Sequence, residues 1–137
     1  MRTNGRAQRT KVGLVQINNS FSNQNYLPLS VGMLQAYAQR HLRHPEHYDF
    51  LLPIYTRLPV EEAVHRLLEA EVVLCSTYVW DIRISLEVAR ALKRRKPEVT
   101  VVFGGPQVPK RAEQDEAFLR RHPWIDLACH GEGEQAA

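Results

Sequence analysis

The sequence lacks the short signatures that mark the common nucleotide-binding and catalytic domains. The first strand-like run ends in QINNS (16–20), so the glycine-rich GxGxxG turn of dinucleotide-binding domains is absent there, and no GxxxxGK phosphate-binding loop occurs. No GxSxG nucleophile elbow occurs, and the first and third strand-like runs end in amides and hydroxyls instead of the acidic cluster of a receiver domain. These absences disfavour NAD-dependent enzymes, P-loop NTPases, α/β-hydrolases and phosphorylation receivers.

Cysteine and long apolar segments are also scarce. The two cysteines, Cys75 and Cys129, form neither a CxxC pair nor a cluster site, and both fall in strand-like runs, so we interpret them as buried structural thiols. No apolar run is long enough to cross a bilayer, and the N-terminus lacks the apolar segment of a secretory signal. We therefore expect a cytoplasmic protein without membrane partners.

The charge distribution separates a tail from a body. The chain has 137 residues, which favours one domain, and a formal net charge of +3. Arg2, Arg6, Arg9 and Lys11 supply an acid-free basic leader, whereas the rest of the chain is nearly balanced. Residues 1–10 are predicted to be a flexible basic tail and residues 11–137 a folded domain. The one basic run of the body, Lys93–Lys96, lies where a helix is predicted to end, and cations there suit the helix dipole. Since no other part of the body suggests a basic face, we expect no nucleic-acid partner.

Five strand-like runs alternate with helical patterns. The predicted strands are 11–17, 48–55, 72–78, 100–105 and 125–130, and the predicted helices are 28–43, 60–68, 82–95 and 112–121. Asp81 is predicted to cap the third helix, and Ala117 and Phe118 to face inward from the fourth. The alternation predicts an α/β fold: a doubly wound, flavodoxin-like or Rossmann-like five-stranded parallel sheet with helices on both faces. Pro53 marks the second strand as an edge strand.

Small and hydroxyl-bearing residues collect where the predicted strands end. In doubly wound sheets, ligands bind outside the carboxyl ends of the strands, which here places loops 18–28, 76–81, 104–109 and 131–134 around one crevice. Glycine allows a backbone to approach a ligand closely, and hydroxyls satisfy its amide or phosphate groups. The crevice is therefore expected to hold a large ligand with a flat face and a long tail.

Four segments together carry a family resemblance. YLPLSVGMLQAY (26–37), VVLCSTYVWDI (72–82), VVFGGPQV (101–108) and IDLACHGEGE (125–134) resemble the cobalamin-binding domain at the front of class B radical SAM enzymes. The resemblance implies a corrin over the strand ends and a nucleotide tail between the sheet and the helices. The implied cofactor-binding residues are Ser76, Thr77, Tyr78, Val79, Trp80, Gly104, Gly105, Pro106, Gln107, Gly131, Glu132 and Gly133.

The resemblance also implies how cobalt would be ligated. Classical cobalamin carriers place a histidine in an Asp-x-His-x-x-Gly motif after the first strand, but residues 18–28 contain no histidine. Bound cobalamin is therefore expected to be base-off and His-off, and Trp80 is a candidate to cover its lower face. No catalytic residue is assigned to this domain.

A missing motif limits what this chain does alone. Radical SAM chemistry needs a CxxxCxxC cysteine cluster, and none occurs here. The resemblance implies that a [4Fe-4S] cluster, S-adenosylmethionine and a catalytic barrel belong to a downstream domain, most often for methyl transfer to a small-molecule or peptide substrate. The alternative is a flavodoxin-like ligand-binding or regulatory module without cobalamin.

The histidines do not predict a metal site. His41, His44 and His47 recur every three residues, but Pro45 interrupts the helix and is expected to keep their rings apart. His130 lies beside the predicted crevice and either touches the ligand edge or faces solvent.

Overall fold

The apolar runs and helical patterns form alternating strands and helices in this computed structural model, which describes residues 9–22 and 24–129. In chain order the strands are β1 (Thr10–Val15), β2 (Ser20–Phe21), β3 (Gln24–Asn25), β4 (Tyr48–Phe50), β5 (Val72–Ser76), β6 (Thr100–Gly104) and β7 (Leu127–Ala128). The helices are α1 (Leu29–His41), α2 (Val60–Leu67), α3 (Ile82–Arg95) and α4 (Ala112–Arg121), and a short 3-10 turn covers Pro45–His47.

Five of the strands form one parallel sheet in the order β4-β1-β5-β6-β7. The predicted five-stranded parallel α/β architecture is thus confirmed, and β4 is an edge strand as Pro53 indicated. After β1 the chain forms β4 on one side of β1, and it then passes through α2 to β5 on the other side of β1. The strand order therefore reverses at β1, and a ligand crevice is expected at the carboxyl ends beside this switch point.

One face of the sheet is packed against α2 and α3. Val73 of β5 and Val101 and Phe103 of β6 are almost fully buried there, together with Leu67 of α2 and Leu92 of α3. Full burial of such a side chain stabilises the fold by about 1.5–3 kcal/mol. This face forms the main core, which fixes the positions of the strand ends.

The opposite face is covered at one end by α1. Val31 of α1 packs on Val12 and Leu14, and the Gln16 side chain accepts a hydrogen bond from the Val31 N–H at 3.1 Å. A row across the sheet then runs from Leu14 through Leu74 and Val102 to Leu127, because these residues are register partners. Exposure along this row rises from 0% at Leu14 to 58% at Leu127, so this face opens away from α1.

Three local predictions were wrong in whole or in part. Asp81 occupies the N-cap position of α3 as predicted, but its carboxylate accepts a hydrogen bond from the Tyr78 N–H, upstream of the helix, and caps no helical N–H. Ala117 is exposed, because the inner stripe of α4 follows helical spacing through residues 115, 118, 119 and 122. Cys129 is half-buried and lies just beyond β7, while Cys75 is buried as predicted.

Candidate functional site

The carboxyl ends of β5, β6 and β7 carry a row of small side chains. Ser76 is the register partner of Gly104, and Cys129 follows on the other side, where its N–H donates to the Phe103 carbonyl oxygen at 2.8 Å. A cavity of about 1090 Å³ extends from this row along the open face of the sheet to α1. That volume is slightly above the range of roughly 300–1,000 Å³ typical of ligand pockets.

The cavity wall is apolar with a few polar groups at its mouth. Leu34 of α1 and Leu74, Val102 and Leu127 of the sheet line its length. In the part of the chain that the structure describes, Lys110 is the one charged side chain of the lining. An apolar wall with few polar groups is typical of sites for cofactors and other organic ligands.

Gly105 is required by the backbone of the turn that follows β6. Its φ is +95°, and a Cβ built there would lie 2.6 Å from both the backbone N and the carbonyl O of Thr77. A residue with a side chain is strained at this φ, and contacts this short force the backbone to move. Gly105 therefore has a structural explanation that needs no ligand.

Gly104 has no such explanation. A Cβ at Gly104 would meet only Cys129, with its Cβ at 3.7 Å and its carbonyl O at 3.8 Å, which are ordinary van der Waals distances. Gly104 lines the cavity, so a side chain there would project into that space. The packing of the described residues thus tolerates a side chain at Gly104.

Thr77 holds the tips of β5 and β6 together. Its side chain is fully buried, and both its Oγ1 hydroxyl and its N–H donate to the Gly104 carbonyl oxygen at 2.8 Å. Its own carbonyl accepts a hydrogen bond from the Gln107 N–H at 3.3 Å. Its hydroxyl proton is committed to the protein, in contrast to the Ser76 hydroxyl, which hydrogen-bonds to none of the described residues and lies on the cavity wall.

Two stacked aromatic rings flank the mouth of the cavity. The rings of Tyr78 and Trp80 lie 4.7 Å apart between centroids and are inclined by only 5°. The Tyr78 hydroxyl hydrogen-bonds to the Ser30 hydroxyl at the start of α1, which ties this stack to the opposite wall of the crevice. Trp80 remains 44% exposed. The stack therefore presents a flat aromatic surface at the strand ends.

Arg57 fixes the backbone beneath this stack. Its Nη2 donates to the Trp80 carbonyl oxygen at 2.6 Å and to Asn19 Oδ1 at 2.8 Å. Asn19 lies in the loop after β1, so the guanidinium joins two of the four predicted loops. The sequence pattern gave no sign of this role, since Arg57 lies outside all four loops.

Asp81 is a buried carboxylate that follows Trp80 in the chain. Its Oδ1 accepts a hydrogen bond from the Tyr78 N–H at 2.6 Å, while its Oδ2 has no hydrogen-bond partner among the described residues. Burial raises the pKa of Asp81 from 3.8 to about 6, and the Tyr78 N–H and the Arg57 charge oppose this rise. Burial also raises the pKa of the neighbouring Cys75 thiol, so the thiol stays protonated at neutral pH.

The structure brings only part of the predicted cofactor-binding set to the cavity wall. Ser76, Tyr78, Gly104, Gly105 and Pro106 line it. Thr77 is buried behind the wall, and Val79, Trp80 and Gln107 are exposed beside it. Gly131, Glu132, Gly133 and His130 lie outside the described residues, and the roles of all twelve predicted residues stay predictions.

Several lining residues were not anticipated. Ser30, Lys110 and Cys129 line the cavity, as do Leu74 and Val102 from the strands. The sequence offered no signal for Leu74 and Val102, because both faces of β5 and β6 carry apolar residues and no alternation marks the open face.

The histidine prediction was wrong in part. The rings of His44 and His47 stack with centroids 4.9 Å apart, although Pro45 lies between them. The 3-10 turn explains this, since residues three apart eclipse one another in such a turn. His41 is separate and stacks on Tyr37.

None of the helices in the described part of the chain combines the length and the apolar character needed to cross a membrane.

The chain matches one protein family and is similar to two named methyltransferases. Residues 12–137 match the B12 binding domain family. The chain is 41% identical over 111 residues to the cobalamin-dependent radical SAM methyltransferase TokK of Streptomyces tokunonensis. It is 40% identical over 111 residues to the 2-(S-pantetheinyl)-carbapenam-3-carboxylate methyltransferase of Streptantibioticus cattleyicolor.

Each match covers 81% of this chain but only 16% of the length of the relative. The similarity therefore concerns one domain and not the whole of either methyltransferase. An open Gly104 position on a long apolar cavity at the strand ends fits a bulky, partly apolar cofactor with a tail. The family match over residues 12–137 and the 40–41% identity to these relatives show that the chain belongs to the B12-binding domain family.

Proposed function

We propose that this chain binds cobalamin in a base-off, His-off form and serves as the cobalamin-binding domain of a radical SAM enzyme that methylates an unactivated carbon. The observation that carries the proposal is Gly104. Its missing side chain is explained by no contact within the described protein, and it faces the long cavity at the strand ends. Membership of the B12-binding domain family supplies the ligand class for that space.

Different residues at the strand ends are proposed to contact different parts of the cofactor or to hold the strand tips in place. Gly104 leaves a path for the nucleotide tail between the sheet and α1, and the Ser76 hydroxyl is free to meet its polar groups. Lys110 offers the one positive charge of the described lining to the tail's phosphate. Thr77 and Gly105 keep the two strand tips in place. Val79, Pro106, Gln107 and the loop with Gly131, Glu132 and Gly133 complete the proposed contact set.

The lower face of the corrin is proposed to rest on the Trp80 side. No histidine lies in loops 18–28 or 76–81 that would offer a lower nitrogen ligand. Trp80 presents a half-exposed indole, held flat by stacking on Tyr78 and by the Arg57 hydrogen bond to its carbonyl. An indole is a large apolar surface that covers a flat macrocycle without ligating a metal.

The wider reaction is a proposal from the named relatives. Cobalamin supplies a methyl group bound to cobalt, and the protein supplies its binding and orientation. Since both relatives are methyltransferases and one is named as cobalamin-dependent and radical SAM, we propose that a partner domain carries the [4Fe-4S] cluster and S-adenosylmethionine. The substrate is proposed to be a small molecule or peptide that meets the cofactor at this partner domain, in the cytoplasm.

The binding experiment uses hydroxocobalamin and the purified chain. After mixing and desalting, the wild-type chain is expected to retain the red chromophore, and Gly104→Leu is expected to lose it because the side chain fills the tail's path. Gly32→Leu is a matched control, since a Cβ at Gly32 meets nothing within 4 Å and Gly32 lies outside the cavity lining. A wild-type eluate that lacks the red corrinoid colour but retains the yellow of added flavin in a parallel sample would support the alternative flavodoxin-like module.

The ligation state has its own measurement. Reduction of the bound cofactor gives cob(II)alamin, whose electron paramagnetic resonance spectrum reports a nitrogen ligand through superhyperfine splitting. We expect a spectrum without that splitting. Clear nitrogen splitting would refute the base-off, His-off form while leaving cobalamin binding intact.

A further inference from the structure

Three potential metal-ligating side chains meet far from the cavity. Within residues 9–22 and 24–129, His44, Glu46 and His47 place one ligand atom each within 4.8 Å of one another. They lie on the 3-10 turn between α1 and β4, and β4 begins at the next residue. The group is therefore at the amino ends of the strands, on the opposite edge of the sheet from Ser76 and Gly104.

The backbone of the turn brings these side chains together. The His47 N–H donates to the His44 carbonyl oxygen at 3.0 Å, and the Tyr48 N–H donates to the Pro45 carbonyl. Pro45 occupies the first position of the turn, where its fixed φ favours this conformation. Residues three apart eclipse in a 3-10 turn, which stacks the two imidazoles at 4.9 Å. The arrangement thus follows from local hydrogen bonds and does not depend on distant contacts.

The spacing of the donor atoms suits a metal ion. Glu46 Oε1 lies 3.3 Å from His44 Nδ1 and 3.9 Å from His47 Nε2. Even if the two ring nitrogens are the full 4.8 Å apart, the point equidistant from all three atoms is no more than about 2.4 Å from each. Zinc binds such atoms at about 2.0–2.2 Å. Since all three side chains are exposed, they are free to close the remaining few tenths of an ångström and to turn the stacked rings until each ring nitrogen points at the ion.

We propose that His44, Glu46 and His47 bind one divalent transition-metal ion of the zinc, nickel or copper class. Two imidazole nitrogens and a carboxylate oxygen favour these ions over magnesium and calcium, which prefer oxygen ligands alone. Three protein ligands leave a fourth position for water. The bound ion clamps the connection between α1 and β4 and so stabilises the edge strand. This site is independent of the proposed cobalamin function, since no lining residue of the cavity takes part.

The test is calorimetric titration of zinc into the untagged 137-residue chain. We expect one zinc per chain and no heat with magnesium. His44→Ala and His47→Ala are each expected to weaken zinc binding at least about tenfold. Loss of a residue that only hydrogen-bonds to a metal ligand already costs about that much, and loss of the ligand itself should cost no less. Glu46→Gln is expected to weaken it as well. His41→Ala and His65→Ala are matched controls that should leave the affinity unchanged, because both histidines are exposed but lie outside the group.

Melting temperature and hydroxocobalamin retention are two further tests of the zinc site. Zinc is expected to raise the melting temperature of the wild-type chain and not that of His47→Ala, while hydroxocobalamin retention is unaffected by zinc in both. Wild-type affinity in His44→Ala would overturn the proposal. A stoichiometry of one zinc per two chains would overturn it too, since the ion would then bridge two copies. Failure of cobalamin binding alone would leave the zinc result unchanged.

Discussion

Adjacent glycines at the tip of β6 are expected to respond in opposite directions to the same substitution. A Cβ at Gly105 lies 2.6 Å from two backbone atoms of Thr77, and the φ of +95° is unfavourable for any side chain. Such backbone strain costs about 1–3 kcal/mol. Thr77 does not move away easily, because it is fully buried and makes two hydrogen bonds to Gly104. Gly105→Ala is therefore expected to destabilise the fold by at least that amount.

Gly104→Ala should do the reverse. The nearest atom to its new Cβ is 3.7 Å away, and no positive φ stands in its way. Replacing a glycine at a compatible position stabilises a protein by about 0.4–1 kcal/mol, chiefly by restricting the unfolded chain. We therefore expect Gly104→Ala to melt slightly above wild type and yet to bind hydroxocobalamin more weakly, because the methyl group enters the cavity.

The assay pairs a urea unfolding curve with a hydroxocobalamin titration on the same preparations. Gly32→Ala is the reference for a glycine replacement in open space, since no atom lies within 4 Å of its Cβ. It should leave cobalamin affinity unchanged. A loss of stability in Gly104→Ala like that in Gly105→Ala would show that Gly104 serves the fold and not the ligand. Unchanged cobalamin binding by Gly104→Leu would likewise contradict a role for Gly104 in ligand binding.

Three more outcomes are expected. Because burial raises the folded pKa of Asp81 from 3.8 to about 6, its contribution to stability is complete below the unfolded value and is lost as the pH rises through about 6. At about 1.4 kcal/mol per pKa unit the whole loss between pH 3.8 and pH 6 is about 3 kcal/mol, and about half of it, roughly 1.4 kcal/mol, falls between pH 5 and pH 8, where urea unfolding should show it in wild type and not in Asp81→Asn. Lys110→Ala should weaken cobalamin binding and reduce the salt dependence of that binding. Arg111→Ala should do neither, because Arg111 lies one residue further along and outside the cavity lining. Equal effects of the two substitutions would argue against a specific contact between Lys110 and the phosphate. Tyr78→Phe removes the hydrogen bond to Ser30 and should cost about 1 kcal/mol by the same unfolding assay, with no cost expected if that bond is absent in solution.

Periodicity was enough to predict most of the architecture. The apolar stripe Val60, Ala63, Val64, Leu67 and Leu68 predicted α2. The residues at 63, 64 and 67 are buried as expected, and those at 60 and 68 are half-buried. The predicted bounds of the fourth helix match α4, Ala112–Arg121. Strand bounds were less accurate, and β7 covers only Leu127–Ala128 of the predicted run. Short apolar runs fix the existence of a strand but not its pairing length, which depends on the neighbouring strand.

The candidate site was less predictable than the fold. Gly104 and Gly105 are equivalent in the sequence. Only the structure shows that Gly105 lies in a turn with positive φ whereas Gly104 is open to the cavity. Thr77 and Ser76 were equivalent hydroxyls in the sequence, and only their hydrogen bonds distinguish them. The role of Arg57 could not be predicted, because its hydrogen bonds are to residues 38 and 23 positions away in the chain. These distinctions depend on tertiary contacts that no local pattern encodes.

The paired hydrogen bonds from Thr77 to the Gly104 carbonyl have a consequence for how the strand tips move. They fasten the end of β5 to the end of β6, so the loops beyond them share one anchor and do not fluctuate independently. An occupant that presses on either loop therefore restrains both at once. The Thr77 and Gln107 amides should accordingly exchange with deuterium in concert, and both should slow together when the cavity fills.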